Sequence, residues 1–154
     1  MHTPADTIAS APSVVAQRLG YAGLIPFVAG ALLVWLVQPD AQPPEAHPFV
    51  VLALSAYAAV IISFLGGIHW GLAMRHTAPP TPLLLWGVVP SLLAWVAVMM
   101  PPEGGLVIQG LMLIACYAVD RRLYPAQGAA PWLVLRFRLS AAGALSCFIG
   151  AAGA

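Results

Sequence analysis

Few residues in this chain could do chemistry, and they gather where apolar sequence gives way to polar. His69 is the one histidine within a long apolar run, whereas His2, His47 and His76 fall outside the apolar cores. It precedes Arg75 by six residues, about 9 Å along a helix, and Trp70 beside it suits an aromatic belt at a membrane interface. A neutral imidazole near headgroups costs little, so an interfacial role is expected; an ionisable side chain inside a span is also a functional candidate by default. Asp120 closes the fourth apolar run, and Arg136 and Arg138 open the fifth at similar depth. A hairpin there brings a carboxylate to a guanidinium and lowers the cost of keeping either near hydrocarbon. The four arginines Arg121, Arg122, Arg136 and Arg138 outnumber the one acid, so the same place is a candidate pocket for anionic lipid headgroups.

Other chemistries lack their parts. No Asp or Glu neighbours His69 in the sequence, so neither a metal site nor a general acid–base pair is read there. His76 shares the face of His69, so the two could not clamp a haem iron from opposite sides. Serine nucleophiles lack a base and an orienting group at matching depth. No catalytic residue, metal or cofactor is therefore assigned.

The elements that must position these residues are membrane helices. The 154 residues are 61% hydrophobic and 7% charged, a balance that only lipid can cover. Apolar runs cover residues 19–37, 48–74, 83–100, 105–119 and 133–153, against the roughly 20 residues that span a bilayer. The reading is an all-α membrane protein, one bundle of five transmembrane helices over residues 18–154, preceded by a flexible tail over residues 1–17. Every basic residue is an arginine, and all lie on one side of the alternation. Six arginines less Asp6 and Asp120 leave +4 on that side, and Asp40, Glu45 and Glu103 give −3 on the other. The positive-inside rule then places the N-terminus inside and the C-terminus outside. That split orients a membrane protein and does not suggest nucleic acid. With abundant Ala, Gly, Pro and Arg, the expected home is a bacterial inner (cytoplasmic) membrane.

Packing signals are concentrated in the second run. Ser55, Ala59, Ser63, Gly67 and Gly71 recur every four residues, a stripe that lets another backbone approach closely. Two readings stand: a packing face within the bundle, or a docking face for a second copy or a foreign subunit. Pro26 and Pro90 interrupt the first and third runs, each removing an amide donor and freeing a carbonyl one turn earlier. The last run is rich in Ala and Gly, which favours a central place. Cys116 and Cys147 sit at different depths and read as small apolar packing residues.

Read together, Leu19 to Phe27 (LGYAGLIPF), Ser63 to Gly71 (SFLGGIHWG), Val89 to Trp95 (VPSLLAW) and the block from Tyr117 to Asp120 with Pro131, Trp132, Leu135 and Arg136 form an ordered set. The set resembles the domain-of-unknown-function family 3429, bacterial relatives of a mitochondrial transmembrane protein. The resemblance covers nearly all of the chain after the tail and implies a small five-helix inner-membrane protein without an assigned reaction. It places His69 inside one of the matching motifs, and it suggests respiratory-chain biogenesis as a context.

The function expected is a non-catalytic accessory or assembly factor held beside a larger membrane complex. The alternative is a small oligomeric transporter or channel, lined at the breaks by Tyr21, Trp86 and Ser91. A third reading is a quinone- or lipid-related membrane enzyme centred on His69 and Trp70.

Overall fold

Six α-helices and two short 3-10 turns carry the chain, described over residues 10–40 and 42–154 in a computed structural model. They are α1 (Val14–Ala22), α2 (Ile25–Leu36), α3 (Ala46–Ala73), α4 (Thr81–Val98), α5 (Pro102–Leu123), the turns Pro125–Gln127 and Ala130–Trp132, and α6 (Leu133–Gly153). Helices α1 and α2 run on as one span broken at Gly23 and Leu24, so five spans are long and apolar enough to cross a membrane. The fold class read from the sequence is the one observed.

Proline sets where helices begin. Pro26, Pro82 and Pro102 each stand in the first turn of α2, α4 and α5, where the missing amide would have had no partner anyway. Pro26 thus starts a helix rather than kinking one, while Pro90 is interior to α4 and buried. The start of α1 corrects the expected tail. Ser13 accepts from the Ala16 amide, and this cap begins a helix at Val14; residues 1–9 lie outside the described residues. Helix α5 also outruns its apolar stretch, ending at Leu123 and carrying Asp120, Arg121 and Arg122 as helical residues. Two arginines in the last turn complement the helix dipole.

Helix α3 is the spine, packing on α2, α4, α5 and α6. Its close contacts are made through glycine, though not those expected. Gly66 faces Gly87 of α4, where an added Cβ would stand 2.5 Å from the Gly87 carbonyl oxygen, and an added Cβ on Gly87 would overlap the Trp70 indole. Gly67 and Gly71, by contrast, have nothing within 4 Å. A four-residue repeat advances 400° per step on a helix of about 100° per residue, so the stripe turns by roughly 40° at each member. Ser55 is accordingly buried, Ala59 and Ser63 are half-buried, and Gly67 and Gly71 are exposed. The stripe unwinds from core to lipid along its length and is not one packing face.

Helix α6 takes the central place its small residues suggested, against α5, α2 and α3. Both cysteines are free and buried.

Candidate functional site

A hairpin and a crossing helix build the polar centre. Asp120 sits one turn from the end of α5 and Arg136 in the first turn of α6; the two 3-10 turns between them fold the chain back. That reversal uses Gly128 at φ 70°, a left-handed conformation glycine adopts freely. Arg136 donates through Nε (2.8 Å) and Nη2 to Oδ2 of Asp120. The anticipated salt bridge therefore forms with Arg136. Arg138 faces the other way, exposed, and donates to the Tyr21 hydroxyl at 3.2 Å.

His69 joins this pair from α3. It is 1% exposed and Asp120 is 0% exposed, with Nε2 and Oδ1 3.2 Å apart. Burial corrects the expectation of an interfacial histidine without an acid nearby. The contact joins residues 51 apart in sequence, which only the packing of α3 on α5 brings together. Nδ1 of His69 lies 3.2 Å from the Leu65 carbonyl oxygen, and the tautomer sets which ring nitrogen donates, to that carbonyl or toward the Asp120 carboxylate.

Sequence reading missed Tyr124 and Ser140. Tyr124 is buried with its ring 6.1 Å from that of His69, and burial, reinforced by Asp120 and opposed by Arg136, pushes its phenol up to about 12. It therefore stays protonated at neutral pH. Ser140 is 4% exposed, and its Oγ has no partner. Both could have been found by spacing, since Tyr124 follows Asp120 by four and Ser140 follows Arg136 by four, one turn along the same helix face. Trp70, in contrast, is half-exposed and donates its indole N–H to the Leu84 carbonyl. Among the described residues, no group of three His, Cys, Asp or Glu could hold a metal ion.

Beside the charged cluster lies a cavity of about 580 Å³, within the range of small-molecule sites. Leu24 at the break between α1 and α2, Phe27 of α2, Ile61 and Ile68 of α3, and Leu135 and Leu139 of α6 give it an apolar wall. Tyr124, Arg136 and Ser140 supply a polar patch, and exposed Leu19 and Phe64 form a rim on the lipid-facing side. Along α3 the lining runs from Ile61 to Leu72, about 17 Å at 1.5 Å per residue. Tyr21, Trp86 and Ser91, the lining expected for a transport path, are not part of it, nor are the breaks at Pro26 and Pro90.

Comparison with known proteins places this architecture in a family. The model of the family described as "Protein of unknown function (DUF3429)" matches residues 13–152, and the chain belongs to it. The chain is 40% identical over 117 residues to "Transmembrane protein 69" of Xenopus tropicalis, covering 71% of the chain and 43% of that protein. To the protein of the same name in Mus musculus it is 33% identical over 81 residues, 51% of the chain and 31% of the relative. The chain thus spans less than half the length of the curated relatives it matches. No solved structure matches. With five apolar spans and relatives named as transmembrane proteins, this is a multi-pass membrane protein.

Proposed function

We propose that this DUF3429 member is a non-catalytic accessory protein of the bacterial inner membrane that binds a chain-bearing membrane amphiphile in the cavity between α2, α3 and α6. The observation that carries the reading is an apolar cavity of about 580 Å³ that ends on buried polar groups. An apolar wall suits an acyl or isoprenoid chain, and its length along α3, about 17 Å, matches the ~15 Å of one leaflet. The lipid-facing rim at Leu19 and Phe64 offers lateral access from the bilayer. With the arginine end in the cytoplasm, as the positive-inside rule prefers, exposed Arg121, Arg122 and Arg138 would sit among anionic headgroups. The test is native mass spectrometry of the protein purified from its own membrane in mild detergent. A retained molecule of lipid mass, lost on Ile68→Trp, is expected; a protein that is bare under conditions preserving its fold overturns the reading.

A second reading is favoured by the open surface at Gly67 and Gly71, where an added side chain meets nothing. A partner helix could approach closely there, which would join the protein to a larger membrane complex. Stoichiometric co-purification of a foreign subunit, removed by Gly67→Ile with the cavity ligand still bound, is the expected result. Isolation always alone counts against it.

A further inference from the structure

Resting on the cavity reading above, we infer that α1 is a hinged flap over the cavity, latched to α6 through Tyr21 and Arg138, and that its opening admits and releases the amphiphile.

The hinge is written in the backbone. Pro26 has no amide to offer the Ala22 carbonyl, and the Leu24 amide turns back to the Tyr21 carbonyl, at 3.0 Å. Among the described residues no backbone hydrogen bond runs from α2 to a carbonyl of α1, so the helical ladder does not couple the two. The Tyr57 hydroxyl donates to the Gly23 carbonyl at 2.8 Å, with its ring edge-on to Phe27 at 5.2 Å. The break is thereby pinned to α3, while the residues before it are not. A few residues of this kind at the end of an element suffice to absorb the backbone change of a hinge.

Helix α1 is held lightly. It buries none of its residues, whereas α2, its continuation, buries Phe27, Ala31 and Val34. Of the other helices it packs chiefly on α6, where Gly20 stands close to Leu139. Exposed hydrogen bonds tie this end down: the Arg138 guanidinium donates to the Tyr21 hydroxyl at 3.2 Å, and the Trp132 indole to the Ser10 carbonyl at 3.1 Å. Few buried contacts and exposed hydrogen bonds mark a segment that opens at low cost. Yet α1 walls the cavity with Ala16, Leu19 and Gly20, and the lipid-facing rim lies between its Leu19 and Phe64 of α3. Swinging α1 outward about Gly23 and Leu24 widens that mouth and carries no member of the Asp120, Arg136 and His69 cluster with it.

The probe is palmitoyl lysophosphatidylglycerol, loaded into delipidated protein in detergent and exchanged against its deuterated form, with loading, exchange and affinity read by native mass spectrometry. Tyr21→Cys with Arg138→Cys places two thiols at exposed positions outside the cavity lining, while Cys116 and Cys147 are buried. Before cross-linking, this double variant lacks the latch and should load and exchange a few fold faster than the wild type. Joined by a short bismaleimide, it should do both more slowly than the wild type by about tenfold or more, as when a lid sets the rate. A flap changes entry and exit by the same factor, so the affinity should stay constant throughout. Exchange that is indifferent to the cross-link, or an affinity that changes in step with the rate, overturns the flap and leaves the cavity reading in place. A wild-type protein that binds no probe overturns both.

Discussion

At the arginine end, α3, α5 and α6 meet around Asp120, Arg136 and His69 and leave a cavity beside them. At the opposite end, α2, α3 and α6 close directly on one another. There an added Cβ on Gly30 or Gly150 would press on Leu54, and one on Gly153 on Trp35. The carbonyls near the end of α6, which lack helical partners, are met by side chains: the Trp35 indole N–H donates to Ile149 and the His47 ring to Gly153, each at 3.0 Å. The contrast teaches where each end takes its specificity. Glycine and shape hold the dry end, where the last carbonyls of α6 are met by side chains. Charge holds the other end, with Ser140 Oγ, His69 Nε2 and Asp120 Oδ1 left unbonded.

Mutation can break this contrast. Asp120→Asn should have the largest effect, because it leaves the Arg136 cation buried without its counter-charge. A loss of about 3–5 kcal/mol is expected, read as unfolding by denaturing detergent; a loss under 1 kcal/mol would mean the cluster does not hold this end together. Gly150→Val tests the dry end, where the new side chain must displace Leu54. Overpacking should cost about 1–3 kcal/mol and leave lipid retention in the cavity unchanged. If it also alters ligand binding, the two ends are not independent. Gly67→Ile should be smallest, within about 0.5 kcal/mol, as for a surface position without a structural role. Unfolding of this variant would return Gly67 to the core.

The sequence revealed what depends on runs and on neighbours along the chain. Five spans were readable because apolar length is a property of contiguous residues, and the Asp120–Arg136 pair because the two flank one turn. His69 was readable as a candidate but not as a member of that cluster. Its partner comes through the packing of α3 on α5, which no local pattern encodes. The stripe from Ser55 to Gly71 misled for a related reason: equal spacing looks like one face in a linear text, whereas 40° of drift per step carries Gly67 and Gly71 outward. Gly66 and Gly87, which do make the tight crossing, have no periodic partner to draw attention to them. Ser140 was hidden because nothing in a sequence shows whether a lone hydroxyl finds a partner once buried.

The unequal lengths of α3 and α4 have a consequence beyond packing. With 28 and 18 residues, they measure about 42 Å and 27 Å, yet both cross a hydrocarbon layer about 30 Å thick. Helix α3 must tilt or project past its boundary, while α4 is just short of covering it. Mismatch of this kind costs fractions of a kcal/mol per Å. A thicker bilayer strains α4 first and a thinner one uncovers α3 first, so this small bundle carries within it a gauge of the membrane's thickness.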